Sequence, residues 1–219
     1  MQYLYYSLLI LFSYFIGNFS SARLVARLKH DDITTHGSGN PGTLNVWRTF
    51  GFWPGIMTFV LDMVKGLIPT LIAFLVFPNL GCDADVSMYI AGFSVVLGHI
   101  FPVIYKFRGG KGIATSIGVF LVANWWVSLI AIAVMIIGML FVKYASIFTI
   151  GFVVALSIVE LCLTSPVDWV NYFLISGILA LVVFAHRSNI VKLLTGKENK
   201  TELLKMLKGL KKKKEKDPS

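Results

Sequence analysis

Ile113-Ala114-Thr115-Ser116-Ile117-Gly118-Val119-Phe120-Leu121-Val122-Ala123, followed by Asn124-Trp125-Trp126 and the apolar run Val127–Val142, decides the architecture of this chain. A helix needs about 20 apolar residues to cross a hydrocarbon core of about 30 Å. As a helix, the first of these runs rises only about 17 Å. It is therefore either a short span of its own or one end of a single helix fused with the second run. The chain has seven spans in the first case and six in the second.

Charge separates the two counts. The other apolar runs are Leu4–Ala22, Gly55–Phe77, Val86–Tyr105, Ser146–Leu163 and Trp169–Ala185. With seven spans and the N-terminus outside, Arg23, Arg27, Lys29, Arg48, Lys106, Arg108, Lys111, Lys143 and every cation after His186 share the cytoplasmic face. Asp83, Asp85 and Asp168 then fall on the outer face, and Lys65 lies inside a span. Six spans would put Lys143 and the C-terminal cations on the face opposite the first loops. Positive charge stays on the cytoplasmic side, so seven is the expected count. Asn124-Trp125-Trp126 becomes an outer turn, where tryptophan suits the interface.

Composition agrees. Of 219 residues, 56% are apolar and 14% charged. Soluble domains carry roughly 25% charged residues, so this is the composition of a polytopic membrane protein. The expectation is an all-α bundle over residues 1–190, with a basic cytoplasmic tail over 191–219. The first span has neither a basic n-region nor a small-residue cleavage site, and reads as a retained helix. The net charge of +9 comes largely from the C-terminal segment. Topology and membrane contact account for that charge, which leaves nucleic acid without a role. Cys82 and Cys162 are too few for a disulfide framework or a zinc site.

Two glycine-rich polar segments interrupt the spans on the cytoplasmic side. The first is His36-Gly37-Ser38-Gly39-Asn40-Pro41-Gly42-Thr43-Leu44-Asn45, with Arg48 three residues on. The second is Arg108-Gly109-Gly110-Lys111-Gly112, which leads into the short fourth span. Backbone N–H groups beside a cation, at a helix N-terminus, hold phosphate without a metal. Ser38, Asn40, Thr43 and Asn45 add side-chain donors, and Arg48 offers a bidentate fork. Gly-Asn-Pro-Gly also makes ordinary turns. The second segment lacks Walker A spacing and no strand precedes it, which argues against an ATPase.

Further polar residues open on the same face. Asp62 and Lys65, at i,i+3 within a span, are spaced to pair, which offsets the cost of intramembrane charge. They read as a structural pair, or as a pair that orients the site. His99, close to Pro102, is either a general base or phosphate ligand, or a helix-end histidine bonded to a carbonyl. Lys143-Tyr144-Ala145-Ser146 and His186-Arg187-Ser188-Asn189 complete the set. No histidine begins a His-x-x-x-x-Asp dyad: five residues after His36, His99 and His186 stand Pro41, Ile104 and Val191, and His30 is followed at once by Asp31 and Asp32. In the tail, Leu203, Leu204, Met206, Leu207 and Leu210 among lysines suit a helix lying on anionic headgroups.

In these segments the chain resembles the bacterial acyl-phosphate:glycerol-3-phosphate acyltransferases. The matching residues are His36 to Gly42, Asn45-Val46 with Arg48, Asp62 with Lys65-Gly66, Gly98 to Pro102, Phe107 to Thr115, and His186-Arg187 with Asn189-Ile190. Their order and spacing cover most of residues 10–200. The chain departs from the family where Gly42-Thr43-Leu44-Asn45 stands in place of Gly-Ala-Thr-Asn, so a hydroxyl expected at position 44 is missing.

The resemblance implies a seven-span enzyme of the bacterial cytoplasmic (inner) membrane, with its active site facing the cytosol and no cofactor or metal. It implies transfer of a fatty acyl group from acyl phosphate to the 1-hydroxyl of glycerol 3-phosphate, giving lysophosphatidic acid and phosphate, the first step of phospholipid synthesis. Lys111, Ser38 and His99 are the expected catalytic residues. Gly37, Ser38, Gly39, Asn40, Gly42, Thr43, Asn45, Gly110 and Lys111 would hold the acyl phosphate. Arg48, Lys111, Ser146, His186 and Asn189 would hold glycerol 3-phosphate, while Asp62 and Lys65 are structural. The proton of the acceptor hydroxyl would pass to the donor's own phosphate, with His99 as the competing base. Expected partners are the two substrates and membrane lipid; the sequence sets no oligomeric state. Two other readings stay open: a divergent paralogue with another substrate, and a transporter of a phosphorylated anion.

Overall fold

A computed structural model describes residues 1–164, 168–198 and 200–201. The stretch carrying Leu203 to Leu210 lies outside these residues. The ordered elements are α-helices joined by short loops and 3₁₀ turns: α1 (Gln2–Asn18), α2 (Ser21–Arg27), α3 (Thr43–Phe50), α4 (Phe52–Val76), α5 (Ala84–Ile100), α6 (Ile113–Ala123), α7 (Trp125–Phe141), α8 (Ala145–Leu163), α9 (Trp169–Ala185) and α10 (Arg187–Leu194).

Each of the seven apolar runs is mainly helical, although the first is broken at Phe19-Ser20 between α1 and α2 and the α-helix of the third ends at Ile100. Four helical runs are long and apolar enough to cross a membrane: Gln2–Arg27, Phe52–Leu80, Ala84–Tyr105 and Ala145–Leu163. Helices α9 and α10, bent by 56° where they meet, make a fifth when taken together, and α6 and α7 are shorter apolar helices. Helices α6 and α7 are separate, divided at Asn124, whose φ/ψ of −154°/83° is not helical. The tryptophans open α7 rather than forming the turn, and both are exposed.

Close packing holds the helices together, as expected where lipid supplies no hydrophobic drive between them. Helices α1 and α5 meet at Gly17 and Gly98, where a Cβ on either glycine would collide with backbone of the other helix. Gly66 of α4 and Gly118 of α6 do the same for that pair. The central core comprises Val95, Val96, Ile117, Phe120, Val153, Leu156 and Ile178, all essentially inaccessible. Towards the other end of the bundle, Tyr89 of α5 donates its hydroxyl to Glu160 Oε2 of α8 at 2.8 Å. Glu160 is a buried carboxylate that the reading of the sequence passed over.

The loop expected between the first two spans is largely helical. Ser20 caps α2, accepting from Arg23 N, and Asp32 starts a 3₁₀ turn at Ile33–Thr35. Ala22, Val25, Ala26, Ile33 and Val46 then form a small core of their own. That core fixes the glycine segment between the turn and α3. At the other end of the chain, α10 runs across the domain boundary expected at residue 190. Cys82 and Cys162 are both free thiols, so no bridge joins them.

Candidate active site

A cleft of about 1360 Å³ opens where α3, α4 and the starts of α6, α8 and α10 converge. One wall is polar and comes from the two glycine segments. The other is apolar, built from Phe59 and Met63 of α4, Leu121 of α6, and Ile132, Met135 and Met139 of α7. Ser38, Gly39, Asn40, Gly42, Thr43, Asn45, Arg48, Asp62, His99, Gly110, Lys111, Ser146, His186 and Asn189 all line it. Of the expected site residues, Gly37 and Lys65 do not.

Asn45 organises the first segment. It is buried, its Oδ1 accepts from Ser38 N at 3.1 Å, and its Nδ2 donates to Ile33 O and His36 O at 3.2 and 3.0 Å. An amide has two donor hydrogens and one carbonyl, so this side chain shapes the loop and has no N–H left for a phosphate. Gly37 and Gly39 take φ of +56° and +69°, which side chains rarely adopt. The backbone N–H groups of Ser38, Gly39, Asn40 and Gly42 are each bonded within the loop. Those of Thr43 and Leu44, in the first turn of α3, have no backbone partner among the described residues. The free donors of this segment therefore sit at a helix N-terminus rather than along the glycine run.

The second segment behaves similarly. Gly109 N donates to Ile100 O and Gly110 N to His99 O, at 3.2 and 3.1 Å. These bonds lay the loop along the end of α5, where any Cβ on Gly110 would strike His99 Nε2. That Cβ would also lie 3.2 Å from Pro41 O, so the two glycine segments adjoin. Gly112 turns the chain into α6 at φ +84°. The first N–H groups of α6 carry no side-chain cap and face the cleft beside Lys111. Arg23 of α2 anchors the second segment, donating to Arg108 O at 3.0 Å and stacking over the Tyr105 ring at 4.4 Å.

Behind the cleft lies a buried charged cluster. Lys65 Nζ is 2.7 Å from Asp62 Oδ1, 2.6 Å from Phe19 O and 2.7 Å from His99 Nδ1. Ser21 donates to Asp62 Oδ1 at 2.8 Å. The expected Asp62–Lys65 pair thus forms, and His99 joins it. An ammonium only donates, so His99 Nδ1 accepts and its proton resides on Nε2, beside Gly110. In that tautomer His99 is a hydrogen-bond donor and has no free lone pair with which to act as a base.

The far wall comes from α8, α10 and the chain beyond. Lys111 Nζ donates to Asn189 Oδ1 at 2.5 Å. Asn189 Nδ2 reaches Ser146 Oγ at 3.3 Å and Glu198 Oε1 at 2.7 Å, and Ser146 Oγ donates to Glu198 Oε1. Arg48 donates to Thr201 Oγ1, and Thr201 N bonds Lys143 O at 2.6 Å. His186 is buried with Nδ1 2.8 Å from Val182 O, so Nδ1 carries the proton and Nε2 accepts. Burial pushes the Lys111 ammonium down to about 8, with Glu198 opposing that fall and Lys192 and Arg48 adding to it. Asn189 and Ser146, expected on the acceptor phosphate, are thus bonded to Glu198, a residue assigned to the tail on sequence alone. Its one signal was an acidic residue in a basic stretch.

The comparisons with known proteins agree on one family. The model of the family described as glycerol-3-phosphate acyltransferase matches residues 7–196. The chain is 36% identical over 201 residues to a glycerol-3-phosphate acyltransferase of Clostridioides difficile (strain 630), covering 91% of this chain and 97% of the relative. It superposes with a TM-score of 0.82 and 32% identity on the crystal structure of PlsY (YgiH), an integral membrane glycerol 3-phosphate acyltransferase, in its glycerol 3-phosphate form, over 92% and 98% of the two chains. The lysophosphatidic acid form of PlsY matches over the same shares, with a TM-score of 0.80 and 34% identity. The chain belongs to the glycerol-3-phosphate acyltransferase family.

Proposed function

We propose that this cleft moves a fatty acyl group from acyl phosphate to the 1-hydroxyl of sn-glycerol 3-phosphate, giving lysophosphatidic acid and inorganic phosphate in the first step of phospholipid synthesis. One observation carries the reading. Two uncapped helix N-termini and Lys111 face the same space as an apolar wall formed by α4, α6 and α7. An acyl phosphate has both ends that such a space fits: an anion for the helix starts and an alkyl chain for the wall.

The acceptor oxygen attacks the acyl carbonyl carbon, a C–O ester bond forms, and the carbon–oxygen bond to phosphate breaks. The proton of the hydroxyl leaves with the departing phosphate, so the protein supplies no nucleophile. The N–H groups of Thr43 and Leu44 and the hydroxyl of Ser38 hold the donor phosphate. Lys111 neutralises charge as it develops, and His99 Nε2–H acts as a donor at the turn beside Gly110. The phosphate of the acceptor rests on Lys111 and Arg48. With a mixed anhydride as donor, positioning two substrates supplies much of the rate. Because Leu44 contributes its backbone N–H, the missing hydroxyl at that position is no bar to donor binding.

The same reading sets the molecule in the bacterial inner membrane with seven spans, the N-terminus outside and the cleft open to the cytosol. What supports it is the charge asymmetry of the sequence, together with the integral-membrane PlsY likeness. The test is phosphate release by purified protein in lipid, given palmitoyl phosphate with and without glycerol 3-phosphate. Acceptor-dependent release with formation of lysophosphatidic acid is expected. Release that does not depend on acceptor would make the protein a hydrolase.

A further inference from the structure

Glu198 has two carboxylate oxygens in different situations. Oε1 accepts from both Ser146 and Asn189. Oε2 is shielded from solvent yet has no hydrogen-bond partner among the described residues. A carboxylate oxygen held away from water without a donor costs free energy, and such an orphan on a cleft wall marks a place where a ligand donor fits. Asp62, another carboxylate lining the cleft, is taken by Lys65 and Ser21. Glu198 is not, although the chain folds back to deliver it: Thr201, three residues on, is pinned by Lys143 O and by Arg48.

The surrounding charge says which kind of donor. Lys111 and Arg48 lie in the electrostatic reach of Glu198. This end of the cleft therefore offers two cations and one free anionic acceptor. A phosphate cannot satisfy the acceptor, since both groups are anionic and a phosphate dianion has no hydrogen to give. A hydroxyl can. A small molecule with a phosphate at one end and a neighbouring hydroxyl matches that pattern, with the phosphate on the cations and the O–H on the carboxylate.

We propose that Glu198 determines acceptor specificity by accepting the 2-hydroxyl of glycerol 3-phosphate on Oε2. The proposal rests on the acyltransferase reading above. The 1-hydroxyl is committed to the acyl carbon, which leaves the 2-hydroxyl as the acceptor's spare donor. Ser146 and Asn189 then hold Glu198 in place. The Asn189 amide links that carboxylate to Lys111, so the hydroxyl-reading and phosphate-reading groups keep a fixed separation.

The experiment compares kcat/KM for glycerol 3-phosphate and for 3-hydroxypropyl phosphate, which lacks the 2-hydroxyl. It uses palmitoyl phosphate as donor and the full chain in lipid. Wild type should favour glycerol 3-phosphate on the order of tenfold or more, because the analogue leaves the buried oxygen unpaired. In Glu198→Gln the donors Ser146 and Asn189 hold the amide oxygen at the Oε1 position, so an N–H₂ replaces Oε2; the charge-assisted bond becomes a neutral one in which the 2-hydroxyl accepts, and the preference should shrink severalfold. Equal use of both acceptors by wild type, or an undiminished preference in Glu198→Gln, overturns the proposal while the acyltransferase reading stands. Failure of wild type to acylate either acceptor overturns both. If Glu198→Gln does not fold, Glu198→Asp, which draws the carboxylate back by one methylene, is judged by the same ratio.

Discussion

Lys65 Nζ lies 2.7 Å from His99 Nδ1, deep between α4 and α5, and this contact fixes the chemistry His99 can perform. With Nδ1 accepting, Nε2 bears the hydrogen at the cleft. His99→Ala should lower turnover by roughly 10- to 100-fold, the scale of a lost transition-state donor. The remaining activity should keep the wild-type pH profile. A profile that loses a limb near the imidazole range in His99→Ala would reverse the assignment and make the histidine a base. Lys65→Met tests the other partner. It leaves Asp62 charged and buried, and should cost about 3–5 kcal/mol, read as a fall in Tm in detergent. Adding Asp62→Asn to Lys65→Met should recover part of that loss.

The donors at the start of α3 can be removed without disturbing the helix. Thr43 is its first residue, and Gly42 before it is extended, with φ −150° and ψ 168°. Proline fits the first helical position, and an extended residue tolerates a following proline. Thr43→Pro should therefore leave Tm within a degree or two, given ordinary surface effects of about 0.5 kcal/mol. Yet it deletes one N–H aimed at the donor phosphate, and kcat/KM should fall by about tenfold or more. Leu44→Thr restores a hydroxyl but keeps the N–H, and should change the same quantity by less than about threefold. A large gain in Leu44→Thr would mean that the hydroxyl, rather than the backbone, holds the donor.

The reach of the sequence differs between these features for physical reasons. Lipid admits few backbone solutions, so apolar runs locate the helices; α6 and α9 begin and end where the hydropathy places them, while α1 stops at Asn18 and α5 at Ile100, short of the apolar runs that contain them. Glycine runs beside cations point to the candidate site, because a plain turn between spans needs neither so many glycines nor the cations. What the sequence does not carry is which N–H groups remain free once the loops fold. Asn45 looks like a ligand donor and is a loop strut, because its partners, Ile33 O and His36 O, are backbone atoms that any residue could provide. Glu198 is hidden by its lysine-rich neighbours, whose composition says tail while the chain returns to the cleft. Glu160 could have been found by the rule that singled out Asp62 and Lys65, since a carboxylate inside an apolar run needs a partner.

Asn45 offers a test in which the more conservative change does more harm. Asn45→Ala removes the bridge between Ser38 N, Ile33 O and His36 O; Ser38 N and His36 O lie near the surface and can turn to water, while Ile33 O, at a buried residue, loses its donor. Asn45→Asp keeps the size and the acceptor for Ser38 N. It also sets a carboxylate oxygen against two carbonyls that each require a donor, which is repulsive as well as unpaired. Asn45→Asp should be less active than Asn45→Ala in the phosphate-release assay and should unfold at a lower temperature. The opposite order would mean that the loop re-forms around the carboxylate, and that its observed shape is not needed for turnover.

Lys111 gives the enzyme a pH limit that can be signed in advance. Its ammonium titrates at about 8, against an ordinary 10.5, because burial disfavours charge. Below pH 8 the group is cationic and can neutralise phosphate; above it the charge is lost, so kcat/KM should fall as pH rises through about 8. Stability moves the other way. The unfolded chain binds a proton at Lys111 up to about 10.5 and the folded chain only up to about 8, so this group makes folding more favourable as pH rises between those values. Activity and Tm should therefore diverge across that window, whereas general alkaline damage would lower both. Bound phosphate favours the charged form, so the alkaline limb of kcat at saturating substrate should lie above that of kcat/KM. Lys111→Arg retains charge throughout and should flatten the limb at reduced activity, because its fork cannot reproduce the single 2.5 Å bond to Asn189. Lys111→Ala should lower kcat/KM by about 10²- to 10³-fold at pH 7 and abolish the limb altogether. If the limb persisted in Lys111→Ala, another group would set it, and Lys111 would lose its place as the neutralising cation.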